Sequence, residues 1–209
     1  MNPLHRSFRY RYDGVVLWLI GINVLVFLAG QLFGQRRMQL LFSMIPAWVV
    51  TRHWLWTFVT YMFLHAGFGH IFFNMFALFV FGVQVERQMG SREFLLFYLL
   101  SGVLAGVFSF AVYYLTGAYY ISLLGASGAI FAVQLAYAVY YPNSRIYLWG
   151  ILPLRAPVMV LGFTALGLVS MVTGWGGSVA HITHLAGFGF AWLYFLIRLG
   201  INPIRAWRR

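Results

Sequence analysis

Six stretches of this chain are apolar enough to lie in hydrocarbon, and they leave little sequence for anything else. They run from Val15 to Phe33, Phe68 to Val85, Phe94 to Leu115, Ser127 to Tyr141, Pro157 to Val172 and Ile182 to Leu199. A bilayer core of roughly 30 Å asks for about 20 apolar residues of helix. It admits helices or closed barrels because no water is present to satisfy backbone polar groups. Charged residues make up only 8% of the chain, against roughly 25% in soluble domains. The expectation is an all-α polytopic membrane protein, a single domain over residues 1–209 with six transmembrane helices. Arg6, Arg9 and Arg11 precede the first run as in a signal peptide, but no small-residue cleavage site follows. That helix is therefore expected to be retained.

The net charge is +11, and every basic residue is Arg. These residues sit at segment ends rather than on one aromatic-lined face. The charge is thus read as membrane topology, with no nucleic-acid partner. With the N-terminus in the cytoplasm, eleven Arg fall inside and only Arg36, Arg37 and Arg52 outside. Both termini are expected to be cytoplasmic, and size and topology suit a bacterial inner membrane. There is no cysteine, so neither disulfides nor thiolate chemistry are available. The first outer connection, 34–67, is rich in aromatic and aliphatic residues. Pro46, Trp48, Trp54 and Trp56 suggest a hairpin embedded in the outer leaflet, with indoles at headgroup level. Gly102 and Gly106 form a small-residue pair suited to close packing in lipid, and Gly187 and Gly189 could serve likewise.

Polar residues inside such segments are expensive and are functional candidates by default. Ser127 begins a segment of roughly 22 Å, too short for the full core, so it starts below the outer surface. His184 lies roughly 21 Å above Arg198, and His70 and Asn74 roughly 24 and 18 Å above Glu86. Four polar residues on three helices therefore fall in one layer.

Their chemistry is complementary. A serine hydroxyl attacks a carbonyl only when a base takes its proton, and His184 is at matching depth. The chain's carboxylates, Asp13, Glu86 and Glu93, are all assigned to the cytoplasmic side. The expectation is accordingly a Ser–His dyad. His70 and Asn74 are four apart and share one helix face. With the Ser127 backbone N–H at a helix start, they form a credible oxyanion hole. Gly125 and Gly128 would permit a tight turn and close helix approach. Plainer roles exist: a helix cap for Ser127, and interhelical hydrogen bonding for His70 and Asn74. The shared depth, with His184 as partner, favours catalysis. Haem ligation by paired histidines or ion transport is the competing class, but an ion path would want membrane-embedded acids.

These residues resemble the rhomboid family of intramembrane serine proteases in its compact six-helix bacterial form. Residues 64–75, Leu-His-Ala-Gly-Phe-Gly-His-Ile-Phe-Phe-Asn-Met, resemble the family's second-helix motif. Gly125-Ala126-Ser127-Gly128 resembles its nucleophile motif, and Thr183-His184-Leu185-Ala186-Gly187 its last-helix histidine motif. The resemblance implies Ser127 as nucleophile, His184 as base, and His70 and Asn74 as oxyanion donors. It implies cleavage of transmembrane segments of other proteins, without metal or cofactor. It also implies lateral access past the fifth helix and a flexible loop, Gly174 to Ala180. His181 competes with His184, but the family's glycine three residues on is matched only by Gly187, leaving His181 as a neighbour that holds water or orients the site. His65 is expected to stabilise the first connection. The family's Trp-Arg pair in that connection is not matched, since Thr57 follows Trp56 and Arg52 lies elsewhere. Relatives that lack the Ser or His bind membrane clients without cutting them, which is the alternative function.

Overall fold

The computed structural model describes residues 8–148, 150–173 and 178–208. Among the described residues, three helices are long and apolar enough to cross a membrane: α1 (Val15–Phe33), the run Phe68–Met89, and α7 (Ser91–Leu115). Between α1 and Phe68 lie three short helices, α2 (Gln35–Phe42), α3 (Pro46–Arg52) and α4 (Thr57–Thr60). The Phe68–Met89 run consists of α5 (Phe68–Ala77) and α6 (Val83–Met89), joined by a π turn at Leu78–Gly82. Further apolar helices follow: α8 (Ser127–Tyr140), α9 (Ala156–Thr173) and α10 (Ser178–Ile197), with α11 (Pro203–Trp207) at the end.

The fold is built around α8. It packs against α7, α9 and α10, and its Ala129, Ala132, Val133, Ala136 and Ala138 are all buried. Alanines on every face let neighbouring helices come close, which is how helices associate when lipid is as apolar as the interface. At 14 residues α8 is roughly 21 Å long, short of a bilayer core.

The Gly102 and Gly106 pair receives the first connection. A Cβ on Gly102 would lie 2.1 Å from Met62 Cε, and one on Gly106 would lie 2.7 Å from the Tyr61 ring. The Tyr61 hydroxyl donates to the Gly102 carbonyl at 2.7 Å. The connection is thereby tied to α7. Arg52 lies over both Trp48 and Trp54, 5.4 and 5.3 Å from their centroids. The guanidinium is thus held between two indoles within the connection.

The link from α8 to α9 holds a two-stranded hairpin that the sequence reading did not anticipate. β1 (Arg145–Leu148) pairs antiparallel with β2 (Leu152–Arg155), with Arg145 opposite Arg155. At the face shared by the N-terminus and this end of α10, the buried acids act as staples. Glu86 accepts from the N–H groups of Val15 and Val16 and from the Ser91 hydroxyl. Glu93 accepts from Phe8 N–H, the Tyr194 hydroxyl and Arg198. Asp13 pairs with Arg11.

Candidate active site

Gly125, just ahead of α8, has φ +120°, a conformation that side-chain-bearing residues avoid. A Cβ there would also lie 2.8 Å from the His70 ring. Absence of a side chain thus serves the turn and the approach of His70 together. The loop is held from its other side. Gly125 N–H donates to the Tyr61 carbonyl at 2.8 Å, and Met44 and Leu123 exchange backbone bonds of 3.0 and 2.9 Å. Ser127 follows as the first residue of α8, whose N-terminus has no side-chain cap. Its N–H is one of the donors a helix start leaves unpaired.

His184 arrives on α10. A Cβ on Gly187 would lie 2.1 Å from the Gly128 carbonyl oxygen, so backbone meets backbone at this crossing. Above it, His184 Nε2 lies 2.8 Å from Ser127 Oγ. The imidazole stacks on Phe131, with centroids 4.1 Å apart and planes within 7°. Phe131 is one turn along α8 from Ser127. One helix therefore supplies both the hydroxyl and the surface that orients its partner.

His70 and Asn74 come from α5. His70 Nδ1 accepts from the Ala66 N–H at 3.3 Å. A neutral ring accepting at Nδ1 carries its proton on Nε2, the nitrogen beside Gly125. Asn74 Nδ2 donates to the His70 carbonyl at 2.7 Å. An amide has two N–H donors, so one remains for another acceptor. His70, Asn74, Ser127 and His184 all line one pocket of about 340 Å³, walled by Phe73, Phe131 and Phe163.

His65 is buried and packs edge-on against His70, centroids 5.0 Å apart. Its carbonyl accepts from Gln35 of α2, so it joins the first connection to the start of α5. His181 lies 6.2 Å from His184 between ring centroids. Its buried Nε2 has no hydrogen-bond partner among the described residues. The expected lid, Gly174 to Ala180, includes 174–177, which lie outside the described residues, while Ser178 begins α10. The three carboxylates are engaged elsewhere, as described above. Tyr194, which holds Glu93, is roughly 15 Å along α10 from His184. Among the described residues no three His, Asp or Glu side chains converge as metal ligands.

Two contributors escaped the sequence reading. Phe131 lies four residues from Ser127, a spacing that shares its helix face but does not set it apart from the chain's other phenylalanines. Tyr61, which holds the Gly125 loop and α7 at once, has no local pattern that would mark it.

A family model described as the Rhomboid domain matches residues 52–201. "RHOMBOID-like protein 12, mitochondrial" of Arabidopsis thaliana is 31% identical over 196 residues, covering 85% of this chain and 56% of that protein. "Rhomboid protease GlpG" of Haemophilus influenzae is 28% identical over 200 residues, covering 95% of this chain and 99% of the relative. "Rhomboid protease AarA" of Providencia stuartii is 28% identical over 155 residues, with 66% and 53% covered. The chain thus spans a little over half the length of the Arabidopsis protein and nearly all of GlpG. With its apolar helices and the match over residues 52–201, this chain is an integral membrane protein belonging to the rhomboid family.

Proposed function

We propose that this protein is an intramembrane serine endopeptidase that cleaves transmembrane segments of other membrane proteins. The observation that carries the reading is the 2.8 Å approach of His184 Nε2 to Ser127 Oγ. It lies in a pocket also lined by His70 and Asn74. Relatives named as rhomboid proteases support the same reaction class.

In the proposed reaction Ser127 Oγ bonds to the scissile carbonyl carbon as its proton passes to His184 Nε2. The oxyanion is met by the Ser127 N–H, the His70 Nε2–H and the free Asn74 amide hydrogen. Collapse breaks the C–N bond, and the imidazolium returns its proton to the leaving amine. Water then attacks the acyl-serine by the reverse proton path. Phe131 holds the imidazole plane without a carboxylate behind it. Gly125, Gly128 and Gly187 set the helix spacing, while His65 and His181 flank the oxyanion donor and the base. No cofactor is required. We place the protein in a bacterial inner membrane, as six spans with the connection 34–67 in the outer leaflet and both termini cytoplasmic.

The test is fluorophosphonate labelling of the detergent-solubilised protein beside Ser127→Ala and His184→Ala. Labelling of the wild type that is lost in both variants is expected, as is loss of cleavage of a model transmembrane substrate. A folded wild type that admits the probe but is not labelled would overturn the proposal in favour of a client-binding role.

A further inference from the structure

We propose that the face bearing Phe8, Arg9 and Arg198 carries a binding site for one anionic phospholipid, distinct from the Ser–His pocket. Between α7 and α10 runs a groove of about 820 Å³, within the roughly 300–1,000 Å³ of ligand pockets. Its walls are Leu96, Leu100 and Leu104 of α7 and Phe190, Leu193 and Ile197 of α10. These fall at helical spacing, one stripe per helix. From Leu96 to Leu104 is roughly 12 Å of helix rise, close to one leaflet of a roughly 30 Å core. The depth suits one acyl chain.

The groove is charged at one end only, where Phe8, Arg9 and Arg198 close it; the other polar groups of its lining are the Ser101 and Tyr194 hydroxyls. Arg198 lies at the end of α10, roughly 21 Å along the axis from His184. The strap that brings Arg9 in is fixed on both sides. Phe8 N–H donates to Glu93 at 3.2 Å, and the Phe8 ring sits under the Arg198 guanidinium at 5.3 Å. Beyond Arg9, the Arg11 carbonyl accepts from Ser91 N–H at 2.7 Å. Arg9 is thereby held at the mouth and exposed.

Charge selects the occupant. Two guanidiniums face one carboxylate at the mouth, and the Glu93 oxygens already accept from Phe8, Tyr194 and Arg198. The mouth carries one net positive charge above an apolar trench. A lipid with a phosphodiester and no compensating cation matches both parts. Basic pockets between transmembrane helices near the membrane surface are the usual sites for anionic headgroups. A zwitterionic lipid would fill the trench but bring its own cation to the arginines.

Native mass spectrometry of the full chain in neutral detergent, titrated separately with phosphatidylglycerol and phosphatidylcholine, tests this. The wild type is expected to retain one phosphatidylglycerol about fivefold more strongly than phosphatidylcholine, the factor appropriate to one charge at the interface. Arg9→Gln should bring the two lipids level. Leu100→Trp, which fills the trench, should weaken both. A melting temperature for each variant within the wild-type range establishes that it is folded. Equal retention of both lipids by the wild type, or undiminished phosphatidylglycerol preference in Arg9→Gln, would overturn the proposal as unselective annular lipid. A protein dimer displaced by neither lipid would overturn it in favour of a second copy. None of these readouts depends on proteolysis.

Discussion

Ser127 and His184 meet because Gly187 has no side chain. Its hypothetical Cβ would lie 2.1 Å from the Gly128 carbonyl, whereas one on Gly189 would meet nothing within 4 Å. A methyl at 187 must push α10 from α8, and about 1 Å of misplacement can cost roughly a hundredfold in rate. Gly187→Ala is expected to lower fluorophosphonate labelling by about ten- to hundredfold, and Gly189→Ala to leave it near wild type. Equal labelling of both would remove the helix crossing from the explanation. Phe131→Ala should lower the labelling rate about tenfold in a folded protein, because the imidazole loses its stacking surface. His65 offers a different readout. Burial holds it neutral, with its pKa lowered from 6.5 to about 4, and the neighbouring His70 adds to the effect. The unfolded chain therefore takes up more protons between about pH 6.5 and 4. Its contribution to stability is present above that window and lost as pH falls through it. Melting temperatures of wild type and His65→Phe, compared from pH 7.5 to 5, should converge toward the acid end. At this scale the convergence of His70, Asn74, Ser127 and His184 on one pocket was readable because polar side chains are rare in such a chain and their axial spacing gives depth. Phe131 was not, because one more phenylalanine in an apolar helix carries no contrast.

At the scale of elements, hydropathy locates helices and is blind to what joins them. The first described helix starts at Val15 and stops at Phe33, as read from the sequence. Long apolar runs have few alternatives when backbone groups must be satisfied without water. The connection 34–67 is neither polar nor long enough in any run to announce its three short helices. The β1–β2 hairpin is likewise too short to declare itself through alternation. Both are fixed by partners distant in sequence, Tyr61 on Gly102 being one. Helix α1 shows how such a partner acts. Its first two amides donate to the buried Glu86 carboxylate, which supplies the cap that Gly14 lacks. Glu86→Gln would place a second donor against these N–H groups. It should destabilise the protein by about 2 kcal/mol, the cost of a buried, partly unmatched hydrogen-bonding group. Thermal unfolding in detergent measures this, and an unchanged midpoint would show that lipid-facing contacts alone hold α1.

The whole molecule places the pocket of Ser127 and His184 at the end of a helix that is too short to span, and the proposed hydrolysis sets a requirement on access. Water must reach Ser127 while the middle of α8 stays sealed, and Val133 is fully buried. The absence of cysteine makes this directly measurable. Ser127→Cys is expected to react with a charged, water-soluble thiol reagent in proteoliposomes, and Val133→Cys to remain unmodified until the protein is denatured. Modification of both at similar rates would mean that the bundle is open throughout. The mostly helical, polytopic character was legible because composition and the length of the apolar runs constrain one another. The tight fit of the first connection against α7 was not, since glycine pairs look alike whether they receive a helix or a loop.

The Glu86 cap has a consequence for the birth of the protein. Val15 and Val16 precede their carboxylate by 71 and 70 residues. Of the described helices α1 leaves the ribosome first, yet its opening amides have no protein acceptor until the end of α6 has been made. Through that interval α1 can be placed across the bilayer but not locked to the bundle. The fastening of its first turn is thus timed by the synthesis of Glu86, so that α1 is held at its start only once the Phe68–Met89 run is nearly complete.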